Sequence, residues 1–101
     1  MNDNDCTRLC DTIRRRKEIS DRIVWCFFGT GSNGKTTVSN HLAALIEDIK
    51  VCHDISTLKY FNWAKYLIVE VNSEKDVETV KTFCERYPAT FDFYTFEKCF
   101  S

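Results

Sequence analysis

The sequence predicts a small α/β domain, a mainly parallel sheet with flanking helices, and three observations carry that expectation. Two apolar runs lack polar alternation: Ile23-Val24-Trp25-Cys26-Phe27-Phe28 and Tyr66-Leu67-Ile68-Val69-Glu70-Val71-Asn72. Strands covered on both faces have this pattern. Helical periodicities separate the apolar runs, so strand and helix alternate along the chain. A glycine-rich octapeptide, Gly29-Thr30-Gly31-Ser32-Asn33-Gly34-Lys35-Thr36, joins the first run to the helix after it.

The elements follow in order. Residues 5–17 read as a short amphipathic helix with Cys6, Leu9, Cys10 and Ile13 on one side. It ends in Arg14-Arg15-Arg16-Lys17, the one charge block in the sequence. Such a run either grips a nucleic-acid backbone or is a solvated helix end complementing the macrodipole. After the octapeptide, Val38, Leu42, Leu45, Ile46 and Ile49 recur at helical spacing. Residues 50–55 read as a weaker strand. His53 is expected there as a polar neighbour at the strand end, and Asp54 as a capping or surface carboxylate that a metal could also draw in.

Residues 56–64 read as a turn and short helix. Its aromatic residues Tyr60, Phe61 and Trp63 suit either a core or base stacking, with the core preferred because aromatics dominate burial in small domains. Ser73 starts the next helix in the manner of a capping box. Val77, Val80, Phe83, Cys84 and Tyr87 form its apolar face and Pro88 ends it. Thr90-Phe91-Asp92-Phe93-Tyr94-Thr95-Phe96 is a last, aromatic strand, and a short tail is expected at 97–101.

Composition narrows the function. A chain of 101 residues with 44% hydrophobic and 14% aromatic content holds one domain with a real core. Its net charge of −1 supplies no global basic field for nucleic acid. No apolar run approaches the ~20 residues that span a bilayer, and Met1-Asn2-Asp3-Asn4-Asp5 is no signal peptide. An intracellular setting without a membrane partner is the expectation. The six cysteines form no C-x-x-C pair, so free thiols are expected. The small size points to an oligomer, or to a reduced or truncated form of something larger.

The octapeptide fits G-x-x-x-x-G-K-[ST], a spelling that phosphate binding requires. The only three glycines of the chain, Gly29, Gly31 and Gly34, all lie in it. Gly29 lets the chain leave a strand sharply, and Gly31 and Gly34 carry no side chain to block approach to phosphate oxygens. The amides of Thr30, Ser32, Asn33 and their neighbours would converge on the anion at a helix N-terminus. Lys35 would reach the terminal phosphates and the Thr36 hydroxyl would hold Mg²⁺. Glu70 sits near the C-terminal end of its strand, where parallel sheets place ligands. A carboxylate in such an apolar run needs a partner, and metal, Lys35 or water would supply one. The bland alternatives are a glycine-rich turn that binds nothing and an edge-strand glutamate facing solvent. Asn72 is either a phosphate contact or an ordinary turn residue.

The wording Phe28-Gly29-Thr30-Gly31-Ser32-Asn33-Gly34-Lys35-Thr36 resembles the loop of viral superfamily 3 helicases, especially the poxvirus- and phage-type primase-helicases. The likeness covers residues 24–72. It implies a hydrolase core that binds ATP through 29–37, with Lys35 on phosphate, Thr36 on Mg²⁺ and Glu70 as the acid of the second motif. Two catalytic residues (Lys35 and Glu70) and two metal ligands (Thr36 and Glu70) follow from it. Many members of the family carry two adjacent acids at that motif, whereas Glu70 stands alone between Val69 and Val71. The family also uses a sensor asparagine on a further strand and an arginine from a neighbouring subunit, for which this sequence offers no clear counterpart. The cell-wall Mur ligases share a Gly-Lys-Thr-Thr loop, here Gly34-Lys35-Thr36-Thr37, without the rest of their machinery. Two functions are therefore expected: an ATP-binding, ATP-hydrolysing homo-oligomer without autonomous unwinding, or a non-catalytic module joining a larger helicase relative.

Overall fold

A six-residue stretch without a charged group, Ile23–Phe28, forms β1 at the centre of the sheet. The computed structural model describes residues 3–29 and 34–96, with side chains from Arg8 onward. Thr30, Gly31, Ser32 and Asn33, the thiols of Cys6 and Cys99, and the tail expected at 97–101 lie outside the described residues.

β1 pairs on one side with β3 (Tyr66–Val71) and on the other with β4 (Thr90–Thr95), while β2 (Ile49–Cys52) flanks β3. The order is β2-β3-β1-β4 and every pairing is parallel. Alternate strand residues serve two separate cores, as the pleat requires. Ile23, Trp25, Phe27 and Ile68 face α1 (Asp3–Ile19) and α2 (Lys35–Leu45). Val24, Cys26, Leu67, Val69 and Val71 face α3 (Glu74–Arg86) and the 3₁₀ segment Ile55–Phe61. Both faces are covered, which is why β1 and β3 show no polar alternation.

α1 buries Leu9, Cys10 and Ile13. Its basic run is tied down rather than merely solvated. Arg14 and Lys17 donate to the carbonyls of Leu45 (3.4 Å) and Glu47 (2.5 Å), just past or at the end of α2. Arg16 forms an ion pair with Asp92 of β4 at 3.5 Å.

α2 is shorter than its apolar spacing predicts. Ile46 adopts extended backbone (φ −118°, ψ 124°), so the helix stops. Asp48 then turns the chain with a left-handed φ of 66°. Leu45, expected on the buried face, is half exposed, and Ile49 begins β2 instead of extending the helix. The strand expected at 50–55 is correspondingly short. Its end is fixed by Asp54, whose carboxylate accepts from the Ser56 amide and hydroxyl and caps the 3₁₀ segment.

That segment corrects one expectation. Tyr60 and Trp63 are 66% and 64% exposed, and among its residues only Leu58 is fully buried. A 3₁₀ helix repeats every three residues, so Ile55, Leu58 and Phe61 share one inward stripe against the core while Tyr60 falls off it, and Trp63 lies past the end of the segment. By contrast α3 buries Val77, Val80, Phe83 and Cys84 as its periodicity predicts. The Ser73 hydroxyl accepts from the Asp76 amide at 3.3 Å and caps it. Cys10, Cys26, Cys52 and Cys84 are free, buried thiols. Among the described residues no helix is long and apolar enough to cross a membrane.

Candidate functional site

Parallel strands bring the C-terminal ends of β1, β2 and β3 to one edge, and Gly29, Lys35, Thr36 and Glu70 meet there. Register sets Phe27 beside Glu70 and Phe28 beside Val71. The ladder continues one step further, with the Gly29 amide donating to the Val71 carbonyl at 3.2 Å. The chain thus leaves β1 directly alongside the end of the strand that carries Glu70.

It re-enters described structure at Gly34, whose φ of 89° lies in the left-handed region that favours glycine. Gly34 is the N-cap of α2 and offers no side chain to the helix's first amides, and no acidic residue occupies the first turn. α3 is built the other way, with Ser73 as cap and Glu74 and Asp76 in its first turn. Among the described residues no side chain caps the positive end of α2, a setting that favours an incoming anion.

Lys35, the first residue of α2, is buried, and its ammonium donates to the Gly29 carbonyl at 2.6 Å. The amine therefore spans the two ends of the glycine-rich segment. Burial lowers its pKa, and the nearby Glu70 carboxylate partly opposes that shift. One turn on, the Ser39 hydroxyl donates to the Lys35 carbonyl at 2.7 Å and is fully buried.

Glu70 is buried in an interior strand, which removes the edge-strand alternative. It shares strand parity with Tyr66 and Ile68, so it faces α2. The Thr36 hydroxyl donates to its Oε1 at 2.7 Å. Its Oε2 contacts Nδ1 of His53. Register explains the second contact: Cys52 pairs with Val69, so the next residue of each strand, His53 and Glu70, comes side by side. The sequence marks His53 only as a polar neighbour at a strand end, because the β2–β3 register that sets it against Glu70 is not written in either strand.

Other expected residues stand apart. Thr37 is exposed on α2 and Asn72 is exposed just beyond β3. Asp54 is spent on its cap, and the amide and hydroxyl of Ser56 hold its carboxyl below the usual range. Arg14, Arg16 and Lys17 are engaged on the α1 side as described above.

The cluster gathers hard oxygen donors, a hydroxyl and a carboxylate, next to a buried amine and the N-terminus of α2. No group of three or more His, Cys, Asp or Glu able to hold a metal occurs among the described residues. Magnesium fits what is present, because it takes one or two protein oxygens and completes its shell with water and phosphate. Comparison with protein-family models, with curated proteins and with solved structures found no match.

Proposed function

We propose that this chain binds a magnesium-complexed nucleoside triphosphate, ATP foremost, at the C-terminal ends of β1 and β3. The observation that carries this reading is the convergence of the exposed Thr36 with the buried Lys35 and Glu70 across the mouth of the glycine-rich segment. The likeness of residues 28–36 to the superfamily 3 helicase loop supports it. In this reading Lys35 releases the Gly29 carbonyl and turns onto the terminal phosphates. Thr36 and Glu70 would hold magnesium, which neutralises charge on the phosphoryl group. Glu70, steadied by His53, would orient water for hydrolysis, and a neighbouring copy would supply an arginine. Calorimetric titration with Mg·ATP should show saturable binding by the wild type and none by Lys35→Ala. Absence of binding by both proteins would remove the reading.

One observation favours a second reading. Both oxygens of Glu70 already have protein partners, Thr36 and His53, so the fold satisfies this carboxylate by itself. That suits a non-catalytic module that keeps the architecture and joins a larger relative. Steady ATP turnover, abolished in Glu70→Gln, would exclude it.

A further inference from the structure

The opposite edge of the sheet carries a second cluster. Lys50 lies in β2, Lys65 immediately precedes β3, and Lys17 comes from the last turns of α1. With Asp48, Trp63 and Tyr66 they line an open cleft of about 450 Å³. That volume falls within the range of small-ligand sites. Tyr66 of the cleft and Glu70 are four residues apart on β3, about 13 Å at ~3.3 Å per residue, so it is a separate place.

We propose that this cleft binds a nucleoside monophosphate, with the base on Trp63 and the phosphate among Lys17, Lys50 and Lys65. Three features point there. Trp63 is 64% exposed, yet its ring is fixed by the indole N–H donating to the Tyr60 carbonyl at 2.8 Å. It also stacks on Phe61 at 6.5 Å. A large apolar ring held rigid in solvent is a stacking platform already ordered for a planar base.

The cations are gathered without being neutralised. Lys17 and Lys65 both stand over the Tyr66 ring, at 4.8 and 5.4 Å. Among the described residues none of the three lysines pairs with a carboxylate; Lys17 spends a donor on the Glu47 carbonyl and keeps its charge. Three ammonium groups in one cleft, in a chain whose net charge is −1, form a local anion site.

Asp48 suits the nucleoside part of the ligand. It is the one carboxylate among the described residues lining the cleft, held there by its left-handed turn. The sugar hydroxyls or exocyclic amine of a nucleotide give it donors to accept from. The cleft also has room for one such unit rather than a run of them.

The test is a titration of the full chain with adenosine and guanosine monophosphates, without magnesium, read by tryptophan emission and by calorimetry. Trp25 is fully buried, so stacking on Trp63 should dominate the quenching. Saturable quenching is expected. The double variant Lys50→Ala/Lys65→Ala should bind at least about tenfold more weakly, and Trp63→Ala about fivefold or more. Trp63→Tyr should restore most of the calorimetric affinity. Lys35→Ala should bind as the wild type does, which separates this site from the triphosphate site. Unchanged binding by Trp63→Ala, equal affinity for inorganic phosphate, or loss of binding in Lys35→Ala would each overturn the proposal. So would tighter binding of a single-stranded dodecanucleotide than of the monophosphates, which would make the cleft a polynucleotide surface.

Discussion

Glu70 is the residue on which the candidate site turns, and its buried carboxylate is held at both oxygens. Removing one holder should be costly, because an unsatisfied buried acceptor forfeits its desolvation energy. His53→Ala is expected to lower stability by about 1–3 kcal/mol in urea denaturation, although His53 itself is exposed. A change within about 0.3 kcal/mol would show that solvent replaces the imidazole freely. The prominence of Glu70 was legible in the sequence because a charge interrupts an apolar run. The role of His53 was not, since it depends on the register between β2 and β3, and register leaves no mark in a single strand. The buried thiols give a second residue-scale prediction. Burial pushes Cys26 up to about 12 and Cys84 up to about 11, against an ordinary value of 9.0. The folded state thus prefers the neutral thiol. Their contribution is fully present below pH 9 and is lost progressively as pH climbs toward 11 and 12. Lys35, shifted downward, acts in the opposite sense at alkaline pH, so the informative quantity is a difference. The fall in denaturation midpoint between pH 8 and about 10.5 should be shallower in Cys26→Val than in the wild type.

At the scale of elements, the junctions hold the information that composition lacks. Gly34 opens α2 from a left-handed conformation, and a Cβ there would meet none of the described residues within 4 Å. Any cost of Gly34→Ala is therefore backbone strain, expected at about 1–2 kcal/mol, with Gly34→Asn recovering part of it. Equal stabilities for all three proteins would remove that account. The α1–β4 junction rests on Arg16 and Asp92, whose carboxylate has one buried oxygen within 3.5 Å of the guanidinium and no hydrogen bond among the described residues. Arg16→Ala should destabilise by about 1–3 kcal/mol, and the added change Asp92→Asn should restore much of the loss by removing the stranded charge. Long elements were legible because α3 and β3 repeat their pattern over many residues. The end of α2 was not, because Leu45, Ile46 and Ile49 continue a helical spacing that the backbone abandons at Ile46. Tyr60 and Trp63 are exposed for a related reason: aromatic content signals burial on average, while Tyr60 falls off the narrow inward stripe of the 3₁₀ segment and Trp63 lies past its end.

At the scale of the molecule, a triphosphate seated on α2 would add a shared ligand to the few hydrogen bonds that already tie α2 to the sheet. Ligand at 100 times its dissociation constant should add about 2.7 kcal/mol. For a domain of this size that raises the thermal midpoint by about 10–20 °C. The gain should vanish in Lys35→Ala, and an equal gain in both proteins would place the ligand elsewhere. The α/β class was legible from alternating patterns alone, but the strand order was not, because it depends on where crossovers return. That order has a consequence during synthesis. β1 is flanked only by β3 and β4, both made long after it, and the most apolar strand emerges from the ribosome with neither neighbour in existence. At about 5–20 residues per second the nascent chain carries this bare segment for several seconds before β4 arrives. Terminating translation before Thr90 should therefore leave β1 with one side unzipped for good, and the product should sediment with the insoluble fraction instead of folding.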